Sequence, residues 1–126
     1  MKTSELTGVA LDWAVAKCVG RSEPEVVNNF HVAWHTWGNT HYSTDWAQGG
    51  PIIEREGVNL SIDYQDDALS SDMVQIGWKG NLWNNSVPGT PGFLQWSYGP
   101  TPLIAAMRCY VASRLGEDVS IPEELQ

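Results

Sequence analysis

The segment TPLIAAMRCYVASRLG, residues 101–116, constrains the fold more than any other stretch of the chain. Thr101 carries the side-chain oxygen of an N-cap, Pro102 has the fixed φ and missing N–H that suit a first helical position, and Gly116 fits the place just past a C-terminus. The spacing predicts a helix over 102–115. Apart from Arg108, Ser113 and Arg114, the side chains after Pro102 are Leu, Ile, Ala, Met, Cys, Tyr and Val. A helix that is apolar nearly all round belongs inside a fold, with other elements on several sides of it. Ala105, Ala106, Cys109 and Ala112 are small enough to let a sheet or another helix come close.

Periodicity says what surrounds that helix. In LTGVALDWAVAKC, Leu6, Ala10, Trp13, Ala14 and Cys18 recur at helical intervals, which predicts an amphipathic helix with one buried face, capped by Thr3 or Thr7 and stopped at Gly20. FHVAWHTWG is rich in aromatic and β-branched residues and predicts a strand over 30–37. Ser43 then caps one or two turns through Trp46, and Gly49-Gly50-Pro51 ends them and opens another short element. VNLSID, VQIGW and FLQWSY predict strands over 58–63, 74–78 and 93–98, with Val74, Ile76 and Trp78 alternating against Gln75 and Gly77. Residues 81–92 hold Pro88, Gly89, Pro91 and Gly92 and read as a mobile loop, VSIP as an edge strand, and the acidic end as frayed. The expected fold class is α+β: an antiparallel sheet of about four strands with two main helices, the first and the last, packed together on one face.

A chain of 126 residues makes one domain, expected over 1–126 with an acidic tail over about 117–126. The formal charge is −8, and Glu117, Asp118, Glu123 and Glu124 concentrate much of it at one end. Clustered Lys and Arg of the kind that grip a phosphate backbone are missing, so direct binding of duplex nucleic acid is not expected. No run approaches the roughly 18 apolar residues of a membrane span, and MKTSELTG lacks the apolar stretch of an export signal. The expectation is a cytoplasmic protein that does not use the membrane. Cys18 and Cys109 sit in apolar helical surroundings and read as reduced core thiols, and no further Cys stands near a His to close a zinc site.

Three blocks, MKTSELTGVALDWAVAKCVG, STDWAQGGPIIEREGVNL and GPTPLIAAMRCYVASRLGEDVSIP, resemble in order and spacing the signature blocks of the NinX-like family of small proteins from tailed phages and enterobacterial prophages. They cover about half of the chain. The resemblance implies a phage or prophage accessory protein at work in a bacterial host cell. It brings with it no reaction, cofactor or ligand set.

The residues themselves offer one candidate site. Arg108 follows Thr101 by seven positions, so it lies on the same helical face and leans toward the N-terminus, where the amides of Leu103 and Ile104 and the positive end of the dipole favour an anion. Trp46 supplies a second wall for a planar ligand, Gly49 and Gly50 allow close approach, and Glu54 or Arg55 adds polar discrimination. The plainer alternative pairs Arg108 with Glu54, Glu56 or Asp45 and leaves Trp46, Ile52 and Ile53 in the core. Trp34, Trp37 and Trp83 form a further aromatic platform if they are exposed rather than packed inside.

His31, His35 and His41 with Asp45 have metal-binding chemistry, but two His four residues apart on a strand are roughly 13 Å apart and cannot share an ion. No metal is expected. No Gly-x-Ser-x-Gly turn frames a Ser, His and Asp set, and no P-loop or dinucleotide fingerprint occurs, so neither catalytic residues nor a cofactor is expected. Two readings of function follow. The first is non-enzymatic sequestration of a small anionic, nucleotide-like ligand, as counter-defence requires. The second is an acidic protein that engages a basic host or phage nucleic-acid enzyme. A homo-oligomer is compatible with either.

Overall fold

The computed structural model describes residues 1–19, 41–66, 73–85, 88, 89 and 91–125. Along them run α1 (Gly8–Cys18), α2 (Trp46–Glu56), β1 (Asn59–Asp66), β2 (Met73–Asn84), β3 (Phe93–Gly99) and α3 (Pro102–Leu115), with 3-10 turns at Thr3–Glu5 and Glu123–Leu125. The sheet is antiparallel in the order β1-β2-β3. The α+β class is as read, with three strands among the described residues; the strand expected over 30–37 lies outside them.

α3 forms as its punctuation predicts. The Thr101 hydroxyl oxygen accepts from the Ile104 N–H at 3.1 Å, and the Gly116 N–H closes the far end on the Ala112 carbonyl. Its apolar circumference has a direct cause: α3 lies against β3 and β2 on one side and against α1 on another, with α2 and β1 touching it as well. Leu103, Met107, Tyr110 and Val111 are buried there with Leu11 and Val15 of α1. Each such side chain contributes of the order of 2 kcal/mol by leaving water.

α1 is less amphipathic than its spacing suggests, because residues 10–16 are all buried. Among them is Asp12, whose carboxylate accepts from the Ser43 N–H at 2.8 Å and so fastens α1 to the approach to α2. Thr7 stands at the N-cap without a side-chain hydrogen bond. Thr3 is buried in the preceding turn, and its hydroxyl donates to the Gly116 carbonyl at 2.7 Å.

Gly49-Gly50-Pro51 does not end a helix; α2 runs through all three residues. Asp45 rather than Ser43 is the cap, accepting from the Ala47 N–H at 2.9 Å. Gly57, in the left-handed region with φ 70°, stops the other end. Propensity argues against helix here, and packing overrides it. A Cβ on Gly49 would fall 2.5 Å from the Tyr42 carbonyl oxygen and 2.6 Å from a methyl of Leu103. The glycine lets α2 press against α3 and is not a turn signal.

Two further expectations give way. Residues 81–84, expected to begin a mobile loop, are strand, because β2 extends far enough for Asn84 to face Phe93. The C-terminal segment is anchored, with Val119, Ile121 and Leu125 buried. VSIP adds no strand to the sheet; Lys2 and Asp118 form an isolated bridge, supported by bonds of 2.8 Å from Thr3 N to Glu117 O and 2.9 Å from Val119 N to Met1 O.

Candidate functional site

The N-termini of α2 and α3 come together. Ser43, Thr44 and Trp46 from one and Thr101, Pro102, Leu103 and Ile104 from the other line a shallow depression of about 230 Å³. Four of the residues singled out in the sequence, Trp46, Thr101, Leu103 and Ile104, therefore do meet. Trp46 is 53% exposed and forms an open wall. Asp45 satisfies the first turn of α2 and Thr101 the Ile104 amide of α3, which leaves the Leu103 N–H without a partner inside its helix. Ser43 went unnoticed in the sequence as a site residue. It is 2% exposed, and its hydroxyl has no hydrogen-bond partner among the described residues. Gly49 lies behind this depression against Leu103, and Gly50 near the Trp46 ring.

Arg108 does not join them. Its Nε donates to the Leu6 carbonyl at 2.8 Å and its NH1 to the Tyr98 carbonyl at 2.8 Å, and the residue is 8% exposed. Burial pulls its pKa down, as expected for a cation taken from water. The alternative partners Glu54, Glu56 and Asp45 are not used either. Main-chain oxygens at the end of β3 and before α1 take the place of a carboxylate, a choice that side-chain spacing could not reveal.

Glu54 and Arg55 lie at the other end of α2, about 12 Å along the axis from Trp46. Arg55 belongs to a separate cluster: it bonds Glu56 at 3.0 Å and the Tyr110 hydroxyl at 3.3 Å, while Arg114 bonds Glu56 from α3. Both guanidinium groups lie within 6 Å of the Tyr110 ring centre, at 5.9 and 5.5 Å. Burial pushes Glu56 up, but hydrogen bonds from Arg114 and Arg55 outweigh it and hold the carboxyl below its ordinary range. Two helix C-termini face this cluster, so the cations answer their dipoles and the shared carboxylate.

The sheet carries the least expected feature. Cross-strand register puts Ser61, Lys79 and Tyr98 on one face, with Asn59, Asn81 and Trp96 beside them and Trp83 opposite Leu94. This is the face turned away from α3. Gly80 and Ser97, which face each other, and Leu82 and Asn84 on the same side are buried. Along β3, then, Leu94, Trp96 and Tyr98 point outward, 43–54% exposed, while Gln95 and Ser97 point toward the helix. The usual assignment of apolar residues to the core side is reversed. Val74 and Ile76 of β2, the apolar positions of its alternation, are exposed as well. Trp83 is 61% exposed, as the platform alternative required, whereas Trp34 and Trp37 lie outside the described residues. The signal was present in FLQWSY: an α3 surface of small residues needs small or polar residues opposite it, and alternation does not say which parity that is.

Cys18 and Cys109 are free thiols whose pKa burial pushes up to about 12. His31 and His35 lie outside the described residues, among which no group of His, Cys, Asp and Glu gathers to hold a metal. Nor, among those residues, is any helix long and apolar enough to cross a membrane.

Compared with known families, residues 2–114 match the sequence model described as Bacteriophage P22, NinX. The chain belongs to this family. The match takes in the first two signature blocks from residue 2 on, the third as far as Arg114, and the segments between them, which makes the protein a member of a phage family over most of its length. No curated protein matches it.

Proposed function

We propose that this member of the phage NinX family is a non-enzymatic accessory factor that engages a protein partner through the outer face of its sheet. The observation that carries this reading is the reversed strand: Leu94, Trp96 and Tyr98 outward, Gln95 and Ser97 inward. Exposed apolar and aromatic residues in cross-strand register on β3 and at Trp83, with Lys79 and Asn81 beside them on the central strand and Asn59 and Ser61 along the far side, have the composition of an interface. With a chain charge of −8, the partner is a basic protein of the phage or its host, such as a nucleic-acid enzyme. The test is capture from infected host lysate by the parent and by a variant carrying Trp83→Ser, Leu94→Ser and Tyr98→Ser. A protein held by the parent and lost by the folded variant supports the reading. Equal capture by both refutes it.

A second reading keeps the small anionic, nucleotide-like ligand, sequestered in counter-defence, and moves it away from Arg108. Its support is the depression between α2 and α3, where the exposed Trp46 ring, the unpartnered Ser43 hydroxyl and the Leu103 amide converge. Calorimetric titration with cyclic and linear nucleotides tests it. Binding that Trp46→Ala abolishes, and that the sheet-face variant leaves intact, assigns the ligand to this depression; the absence of heat with every nucleotide removes it.

A further inference from the structure

The inner side of β3 holds polar residues at a place where the fold could have held small apolar ones. Gln95 and Ser97 point toward α3, and with Ala112 of that helix they line a depression of about 280 Å³. The strand is fixed there, because the Cys109 Sγ donates to the Gln95 carbonyl at 3.1 Å and the Thr3–Glu5 turn touches β3 as well. Ser97 is 9% exposed, and among the described residues no hydrogen bond takes up its hydroxyl. An alanine would occupy the same place without the desolvation that a buried hydroxyl costs. Gln95 is oriented by its Oε1, which accepts from the Asn84 Nδ2 at 3.4 Å and leaves the N–H donors of the amide for another acceptor.

The rim of the same depression carries both signs of charge. Lys2 and Asp118 form the isolated antiparallel bridge, so their side chains leave the main chain on the same side, and Glu117 joins them in the lining. The main-chain bonds between residues 1–3 and 117–119 hold this rim in place. Among the described residues no ion pair joins Lys2 to either carboxylate. A simple anion would meet two carboxylates here, and a polycation would meet Lys2. A zwitterion meets neither objection, because its carboxylate takes the Lys2 ammonium while its own ammonium takes the two acids. At about 280 Å³ the depression lies just below the roughly 300 Å³ at which pockets for drug-sized molecules begin, which suits a smaller ligand.

We infer that this depression binds a free α-amino acid whose side chain ends in an uncharged amide. The α-carboxylate goes to Lys2, the α-ammonium to Glu117 and Asp118, and the side-chain amide to Gln95 and Ser97. The amide follows from the floor of the depression, where the Ser97 hydroxyl both donates and accepts and Gln95 donates. The second carboxylate on the rim disfavours a further negative charge on the ligand. This site lies on the inner side of β3, so it stands whether or not a partner protein occupies the outer face.

Titration of the isotopically labelled full chain with L-glutamine, followed by NMR of its main-chain amides, tests it. Saturable shifts should gather at Lys2, Ser97 and Asp118. They should be absent with γ-aminobutyramide, which lacks the carboxylate, and with glutaramic acid, which lacks the ammonium. Lys2→Met and Asp118→Asn should each weaken the binding of L-glutamine about tenfold and leave the melting temperature unchanged. Ser97→Ala should weaken binding while raising the melting temperature of the ligand-free chain, a combination that a hydroxyl serving the fold would not give. The absence of saturable shifts with both L-glutamine and L-asparagine at millimolar excess overturns the proposal. So do shifts that the two analogues reproduce, binding indifferent to Lys2→Met and Asp118→Asn, or a Ser97→Ala variant less stable than the parent without ligand, which would mean that the fold already uses the hydroxyl.

Discussion

Arg108 and Tyr98 are joined by a hydrogen bond of 2.8 Å from the guanidinium to the main-chain oxygen, which ties the middle of α3 to the end of β3. The same side chain reaches the Leu6 carbonyl before α1, so one cation links three segments of the core. Arg108→Met keeps most of the stem but takes this donor from the buried Leu6 oxygen and the partly buried Tyr98 oxygen. The expected cost is about 3 kcal/mol in urea or thermal unfolding, with no change in ligand or partner affinity once the protein is folded. A variant as stable as the parent would show that water replaces the guanidinium without penalty.

The adjacent glycines of α2 should respond in opposite senses to the same change. At Gly49 an added methyl meets the Tyr42 carbonyl and Leu103, so Gly49→Ala should destabilise by about 2 kcal/mol through overpacking. At Gly50 the nearest atom is an edge carbon of Trp46 at 3.9 Å, an ordinary contact. Gly50→Ala should therefore stabilise by about 0.5 to 1 kcal/mol through helix propensity. Chemical denaturation of the two variants side by side measures both.

Glu56 gives the fold an acid-sensitive contact. Because its folded pKa lies below the unfolded value, the stabilisation is present above about pH 4.3 and is lost as pH falls through the folded pKa. Arg55 and Arg114 are about half exposed, so water screens the pairs and the contribution is of the order of 1 kcal/mol. Glu56→Gln should lower stability at neutral pH by that amount and flatten the acid limb of the stability curve. An unaltered limb would place the acid sensitivity elsewhere.

Thiol chemistry should be nearly silent in the folded protein. With both cysteines pushed up to about 12 by burial, the thiolate population near neutral pH is roughly a thousandfold below that of a free thiol. Labelling by iodoacetamide should be slow until denaturant is added, and then involve both residues. Rapid labelling of native Cys109 would mean that the contact between α3 and the sheet opens often.

Legibility followed the range of the forces involved. α3 was readable to its end residues because Thr101, Pro102 and Gly116 act within one turn. β1, β2 and β3 were readable as strands, though VSIP was not one, and the three signature blocks gave the family. What escaped was set across the fold. Whether Gly49 turns the chain or admits Leu103 depends on a helix more than fifty positions away. Arg108 spends its donors on carbonyls, which every residue possesses and no sequence pattern marks. The parity of β3 depends on the small side chains of α3 opposite it. Within the candidate site, Trp46, Thr101, Leu103 and Ile104 could be grouped from helix-end chemistry, whereas Ser43 could not, since its distinction is a missing partner.

The clasp of main-chain bonds between residues 1–3 and 117–119 has a kinetic consequence. Its partners are as much as 118 positions apart, so forming it first would close a loop of nearly the whole chain for very few contacts. Its assembly must wait until the two hairpin pairings, β1 with β2 and β2 with β3, and the seating of α3 have already brought the two segments near each other. The clasp is thus a late event in folding and contributes little to the transition state. Thr3→Val, which removes the hydroxyl's bond to the Gly116 carbonyl beside the clasp and so loosens it, should leave the folding rate almost unchanged and accelerate unfolding, which gives these few bonds control over how long the native state persists.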